Sequence, residues 1–392
     1  MPKSQITNII DNQIFVINSI PIIVLIINLN LDKMHQLLIN LSVIFNKPTG
    51  ISNYSRNLFP YLQFLNPTLL TSETYPGFNC YEIPGNMTPA QGTKGHLKRL
   101  LWSEFKLPKI YNNLQSSLIF SPIPEASLSN KFRHVVMVHD LIPLRFPKRF
   151  SPLTPYFHYY IPSVLRRAEH IICNSQATAR DIVDFYQISP DKITPILLGY
   201  DKDNFRHFAD KGRKEKPYFL YLGRHNPYKN LHRLVSAFAA LSNCQNYELW
   251  FAGPKDNKYT PLLTKHIQEL GLTSQVKFLD YVPYQELPQI IAGAIAMVFP
   301  SLWEGFGFPV LEAMACGTPV ITSNLSSLPE VAGDAAILIN PYNISEITEA
   351  MYTIATNNQE RDRLITAGSH QVKKFSWQKT GQATAEILQK YL

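Results

Sequence analysis

Across 392 residues there are only four cysteines, Cys80, Cys173, Cys244 and Cys316, and none of them forms a CxxC pair. A disulfide framework and a thiolate zinc site are thereby disfavoured, and a reducing compartment fits. Charged residues make up 17% of the chain, and its lysines and arginines are dispersed. No basic run resembles a nucleic-acid tail and no RNA- or DNA-binding motif stands out, although the formal net charge of +8 suits a partner that carries phosphate. Glycine is scarce, 17 residues against 29 prolines. The loop after the first clear strand reads NKPTGISNY, with one glycine where a nicotinamide dehydrogenase needs GxGxxG. With 45% hydrophobic residues, wholesale disorder is excluded. The length suits two domains of roughly 150–200 residues each.

No apolar run is clean enough to span a membrane without question. Residues 14–31 are the nearest, but they contain Asn18, Ser19, Pro21, Asn28 and Asn30, whereas a spanning helix wants about 20 mainly apolar residues. A basic leader and a small-residue cleavage site are also missing. Three readings of this segment stay open: a weak anchor, a dispensable extension with Met34 as the natural start, or an extra structured element.

From Met34 onward, short apolar runs alternate with amphipathic stretches. Strands are predicted within 35–45, 117–122, 134–140 and 170–175, and again within 218–223, 247–253, 276–282, 294–300, 318–323 and 335–340. Helical spacing fills 155–168, 176–186, 229–241 and 262–272, and the tail from Ser345 reads as helical to the end. Continuous apolar strands alternating with helices imply parallel sheets covered on both faces. A polar stretch over 197–217 interrupts this rhythm. The expected organisation is an extension over 1–33, a first Rossmann-like domain over 34–205 and a linker over 206–217. A second Rossmann-like domain over 218–374 follows, then a closing helix over 375–392 that packs back toward the first domain. Paired doubly wound domains hold ligands in the cleft between them, at the carboxyl ends of strands.

Two motifs follow strands in this way. The first is Glu304-Gly305-Phe306-Gly307-Phe308-Pro309-Val310-Leu311-Glu312. Its glycines permit close backbone approach, Pro309 suits a helix start, and the helix N-terminus with its free amides favours an anion. Glu304 and Glu312 are suited to accepting sugar hydroxyls, though Glu312 alone also reads as compensation of the helix dipole. The second motif is Gly223-Arg224-His225-Asn226-Pro227-Tyr228-Lys229-Asn230. Its two cations can stabilise a phosphate leaving group as charge develops on it. His139, in VHD at the end of a buried strand, is a third candidate.

These segments, with GISNYSRNL (50–58), ICNSQATARDI (172–182) and LPEVAGDAAILINP, resemble glycosyltransferase family 4, the retaining enzymes of GT-B fold. The resemblance runs from about Met34 to the C-terminus and is denser in the second half. It implies an α/β GT-B architecture of two Rossmann-like doubly wound domains facing a central cleft. Arg224 and Lys229 would bind the donor diphosphate, after the turn at Gly223. Glu304 would hold the donor sugar, beside Gly305 and the amides of Phe306, Gly307 and Phe308. Glu312 would take the ribose, Gly50 and Ile51 would pack on the diphosphate, and His139 would touch the transferred sugar.

The implied activity is a metal-independent hexosyltransferase without cofactor, attacking from the front face. HDLIP, RFPKRF and FSWQKT look like bacterial mannosyltransferases of surface-polysaccharide assembly. GDP-mannose is the first donor choice, with UDP-glucose or another UDP-hexose next and a non-catalytic sugar-nucleotide binder as the rival. The acceptor is expected to be a saccharide or a lipid-linked one. The basic, apolar segment 95–109 is a candidate for peripheral contact with the membrane's inner face, or else an ordinary packed helix, in an otherwise cytoplasmic protein. Asp201-Lys202-Asp203 matches the metal-binding Asp-x-Asp of GT-A enzymes, but sits in a linker-like stretch rather than after a buried strand.

Overall fold

The computed structural model describes residues 36–44, 50–147, 151, 153–208 and 216–392. The expected extension over 1–33, the start at Met34 and most of the expected linker lie outside the described residues.

The first sheet is built from β1 (Leu37–Asn40), β2 (Thr68–Thr71), β3 (Asn79–Glu82), β4 (Leu118–Ser121), β5 (His134–Val138), β6 (His170–Cys173) and β7 (Ile193–Pro195). Its strand order is β3-β2-β1-β4-β5-β6-β7. In the middle, Ile39 pairs with Leu69 on one side and Phe120 on the other, and all three are buried. The second sheet contains β8 (Tyr218–Leu222), β9 (Glu248–Ala252), β10 (Val276–Phe278), β11 (Ala296–Phe299), β12 (Val320–Ser323) and β13 (Ile337–Ile339). Its order is β10-β9-β8-β11-β12-β13, with every neighbouring pair parallel. Runs such as LLIN and AMVF are buried along their whole length, as strands covered on both faces must be.

Both sheets therefore have the doubly wound order expected from the alternation. In each, the chain order reverses beside the first strand, between β1 and β4 and between β8 and β11. That reversal leaves a crevice outside the carboxyl ends of the two strands. Three strands escaped the apolar pattern. The edge strand β3 (NCYE) is exposed along its length, and β2 and β7 are only four and three residues long.

The chain divides into two compact units. One comprises Met1–Val136, Ser163–His170 and Ala385–Leu392, and the other Met137–Pro162 and Ile171–Thr384. In the first, Tyr391 stacks on His170 with ring centroids 5.6 Å apart. The tail is helical, as expected, in three segments. It breaks into Ile344–Thr356, Asn358–Gln371 and Trp377–Tyr391, because Asn343 and Asn357 each turn a side chain onto following amides and so start a new helix.

The helix Gly92–Phe105 carries the apolar, basic segment. Trp102 is buried, and Arg99 pairs with the buried Glu125 through Nε–Oε2 at 2.6 Å and Nη2–Oε1 at 2.8 Å. Leu97, Leu101 and Phe105, four residues apart on one face, are left 57%, 51% and 64% exposed. Among the described residues, no helix is long and apolar enough to cross a membrane.

Candidate functional site

At the reversal of the second sheet, the loops after β8 and β11 are joined. The Leu302 amide donates to the Tyr228 carbonyl at 2.8 Å. Asn230, fully buried with φ 63°, donates from Nδ2 to the Pro300 carbonyl at 3.2 Å and the Pro341 carbonyl at 2.6 Å. Lys229 Nζ then meets Glu304 Oε1 at 2.5 Å, with the two side chains only 12% and 11% exposed. Residues 75 apart in sequence thus form one ion pair at the carboxyl ends of adjacent strands. Gly223 closes β8 through its amide to the Ala252 carbonyl at 2.9 Å. The Arg224 side chain is exposed nearby, without a charged partner among the described residues.

The turn after Glu304 is fixed from several sides. The Glu304 amide donates to Ser326 Oγ at 3.1 Å, and Ser327 Oγ donates to the carbonyls of Glu304 at 3.0 Å and Phe306 at 2.6 Å. Ser175 Oγ donates to the Gly305 carbonyl at 2.7 Å. With its carbonyls tied down, the turn directs its amides elsewhere. Those of Gly305, Phe306, Gly307 and Phe308 have no acceptor among the described residues, although Gly305, Phe306 and Gly307 are buried. Backbone donors left without a protein acceptor are open to water or to a ligand. Gly307 has φ 121°, open to glycine almost alone, and Phe308 then begins the helix Phe308–Ala315 with Pro309 in its first turn.

The segment after β5 packs onto the same turn. A Cβ on Gly305 would lie 2.1 Å from the His139 carbonyl oxygen and 2.9 Å from Asp140 Cβ. The His139 carbonyl is held in place by Asn174 Nδ2 at 2.8 Å. Beside it runs a network that the sequence did not announce. Trp303 Nε1 donates to Asp181 Oδ2 at 3.0 Å, Asp181 pairs with Arg145, and the Arg145 guanidinium stacks over the Trp303 ring at 3.6 Å. Glu330 takes the amides of Gln176 at 2.7 Å and Ala177 at 2.8 Å, satisfying the first turn of the helix Gln176–Tyr186. The only local signal for this set was Ser175, which accepts from the Thr178 amide as a helix cap. Ser175 meets Gly305 across 130 residues, and the other bonds of the set span 36 to 154.

The structure thus brings His139, Gly223, Arg224, Lys229, Glu304, Gly305, Phe306, Gly307, Phe308 and Glu312 into one unit. Gly50 and Ile51 belong to the other, where they open the helix Gly50–Leu58. Asp201 uses its carboxylate locally. Oδ1 accepts from the amides of Asp203 and Asn204 at 3.2 and 3.0 Å, and Oδ2 accepts from Tyr284 at 3.2 Å. Among the described residues no cluster of three or more His, Cys, Asp or Glu side chains is placed to hold a metal.

Residues 203–371 match the family model described as glycosyl transferases group 1, and residues 50–204 match that of glycosyltransferase family 4. Between them the two glycosyltransferase models cover residues 50–371. It is 34% identical to O-antigen chain mannosyltransferase B of Escherichia coli over 200 residues, 50% of this chain and 49% of that protein. It is 33% identical over 206 residues to O-antigen chain mannosyltransferase RfbU of Salmonella typhimurium, covering 53% and 56%. The match therefore spans about half the length of these curated relatives. The fold is also that of sucrose-phosphate synthase from Thermosynechococcus elongatus, with a TM-score of 0.72 at 18% identity over 91% of this chain and 98% of that one.

Two acids of this unit, Asp140 and Glu312, are shifted in the same direction. Burial pushes the Asp140 carboxyl above its usual range; Glu304 and Asp181 add to the rise, while the Ile142 amide and Lys229 oppose it. Desolvation, followed by the charge of Asp201, raises Glu312 from 4.5 to about 8. Because the folded value lies above the unfolded one, the stability linked to Glu312 is fully present below about pH 4.5 and is lost as pH rises through about 8. Glu312→Gln is neutral throughout. In melts of the unliganded protein it should match the parent at pH 5 and gain several degrees of Tm over it at pH 9. A gap that does not change with pH would mean that Glu312 is not desolvated.

Proposed function

We propose that this chain transfers a hexose, with mannose first in order, from a nucleoside-diphosphate sugar to a saccharide or lipid-linked acceptor. The observation that carries the reading is the row of unsatisfied amides over Gly305–Phe308, at a strand-order reversal, beside the cations Lys229 and Arg224. Such a row suits phosphate and sugar oxygens.

In this reading the bond from the sugar anomeric carbon to the β-phosphate oxygen breaks as the acceptor oxygen bonds to that carbon from the same face. The acceptor proton passes to the departing phosphate, and configuration is retained. Lys229 and Arg224 offset the charge that grows on the diphosphate, and donors aimed at developing charge are the most effective kind. Glu304 accepts hydroxyls of the donor sugar, Glu312 accepts those of the ribose, and His139 borders the transferred ring. Gly50 and Ile51 approach the diphosphate. Neither a metal nor a cofactor takes part. Mannose is favoured by the names of the relatives, which are mannosyltransferases of O-antigen chains.

A donor-hydrolysis screen with GDP- and UDP-sugars, run with and without EDTA, tests this. GDP-mannose turnover that EDTA leaves intact is expected. Turnover of UDP-hexoses alone would make the chain a glucosyltransferase or its like, and binding without turnover would make it a sugar-nucleotide binder. Loss of activity in EDTA with recovery in magnesium would overturn the metal-free scheme.

The reaction is placed in the cytoplasm, against the inner face of the membrane. Support comes from the helix Gly92–Phe105, where the exposed Leu97, Leu101 and Phe105 sit among the exposed Lys94, Lys98 and Lys106. Flotation with anionic liposomes at low salt is expected to carry the protein upward, and an unbound fraction equal to that with neutral liposomes would remove the membrane from the account.

A further inference from the structure

Trp303 stands immediately before Glu304, and its indole is gripped twice within the second unit. Nε1 donates to Asp181 Oδ2 at 3.0 Å, and the Arg145 guanidinium lies over the ring at 3.6 Å. The same Arg145 donates to Asp181 Oδ1 from Nε at 2.9 Å and also from Nη2. One carboxylate, 1% exposed, thus collects three donors from the short helix Ile142–Arg145 and the loop after β11. The transfer described above uses none of these three side chains. We infer that Asp181 and Arg145 are positioning residues for Glu304, acting through the Trp303 indole, and that they govern the hold on the donor sugar rather than on the diphosphate. The inference rests on the reading in which Glu304 accepts hydroxyls of that sugar.

Net stability does not account for the cluster. Desolvation of a carboxylate and a guanidinium largely offsets their attraction, so a buried pair is weak evidence for stability. Its definite effect is direction. With a carboxylate at its edge and a guanidinium on its face, the indole has one favoured placement, and the backbone that carries it is held accordingly. Glu304 is one residue further along. Its amide goes to Ser326 Oγ at 3.1 Å, while the Leu302 amide goes to the Tyr228 carbonyl at 2.8 Å. Trp303 is the tether between those two bonds. The amides offered to the diphosphate lie beyond, over Gly305–Phe308, where Ser175 and Ser327 hold the chain through its carbonyls. Those bonds need neither Asp181 nor the indole, so the two halves of donor recognition have separate supports. A misplacement of about 1 Å can cost roughly 100-fold in rate. Loss of one tether, with the others kept, is expected to cost less.

Trp303→Phe keeps a ring beneath Arg145 and deletes only the N–H. The full chain is titrated calorimetrically with GDP-mannose and with GDP, or with UDP-glucose and UDP if the donor screen selects those, and donor hydrolysis gives kcat. The variant should bind the sugar nucleotide about tenfold more weakly and lose about tenfold in kcat, while the nucleoside diphosphate stays within about twofold of the parent. Arg145→Lys, which keeps the charge and loses the two-point grip, should move the ratio of the two affinities in the same direction. In a Glu304→Ala background, Trp303→Phe should add no further loss, because the group it places is gone; a merely structural role gives losses that add. Equal weakening of both nucleotides, additive losses in the double variant, or parental values in both Trp303→Phe and Arg145→Lys would overturn the inference. Should the parent bind sugar nucleotides without turning them over, the transferase reading fails, and the calorimetric ratio still decides the role of the cluster.

Discussion

Replacing Lys229 by alanine is expected to lower donor turnover by about 100- to 1,000-fold, the usual cost of removing one fixed donor to developing negative charge. Its position supports that size. Lys229 Nζ is 2.5 Å from Glu304 and lies over the rings of Tyr228 and Phe299, each centroid 5.2 Å away, so its charge is held rather than solvated. The variant also strands Glu304, 9% exposed, without its cation, and a broken buried pair costs stability of its own. The two effects separate in a double variant. Lys229→Met with Glu304→Gln keeps the volume and removes both charges, so melting should recover while turnover stays low. Glu304→Ala alone is expected to fall as far as Lys229→Ala, through loss of the proposed contact with the sugar. Turnover near that of the parent in a folded single variant would remove that residue from the mechanism.

Gly305→Ala is expected to cost more, with turnover falling to background. An added Cβ would lie 2.1 Å from the His139 carbonyl oxygen, and that carbonyl cannot yield freely because Asn174 Nδ2 holds it at 2.8 Å. The turn would have to retreat, breaking the bond from Ser175 to the Gly305 carbonyl and moving the free amides. Donor hydrolysis with a parallel melt checks this, and near-parental activity would mean that the turn is not the working element. Gly50→Ala is the informative contrast, since a Cβ there meets nothing within 4 Å. Its melt should match the parent, and any loss of turnover would then report a ligand approaching that glycine rather than a clash in the fold.

Which parts of this were legible beforehand follows from what each segment must do alone. Strands such as HVVMV and YFLYL are buried along their length and announce themselves by composition. The edge strand β3 is exposed, so NCYE carries no apolar signature and was missed. The tail was readable as helical, but its break at Asn357 was not, because that residue is unremarkable until its side chain is seen accepting from the Glu360 amide. The glycines and charges of the two loop motifs were readable because each motif is contiguous. The cluster of Trp303, Asp181, Arg145, Ser175 and Glu330 was not, because its members meet only after folding.

The most direct measurement is a crystal structure of the chain with GDP bound. The account predicts β-phosphate oxygens within about 3.2 Å of at least two amides among Gly305, Phe306, Gly307 and Phe308, with Lys229 or Arg224 reaching the same phosphate. Density for the diphosphate away from the loops after β8 and β11, with those amides still unoccupied, would contradict it.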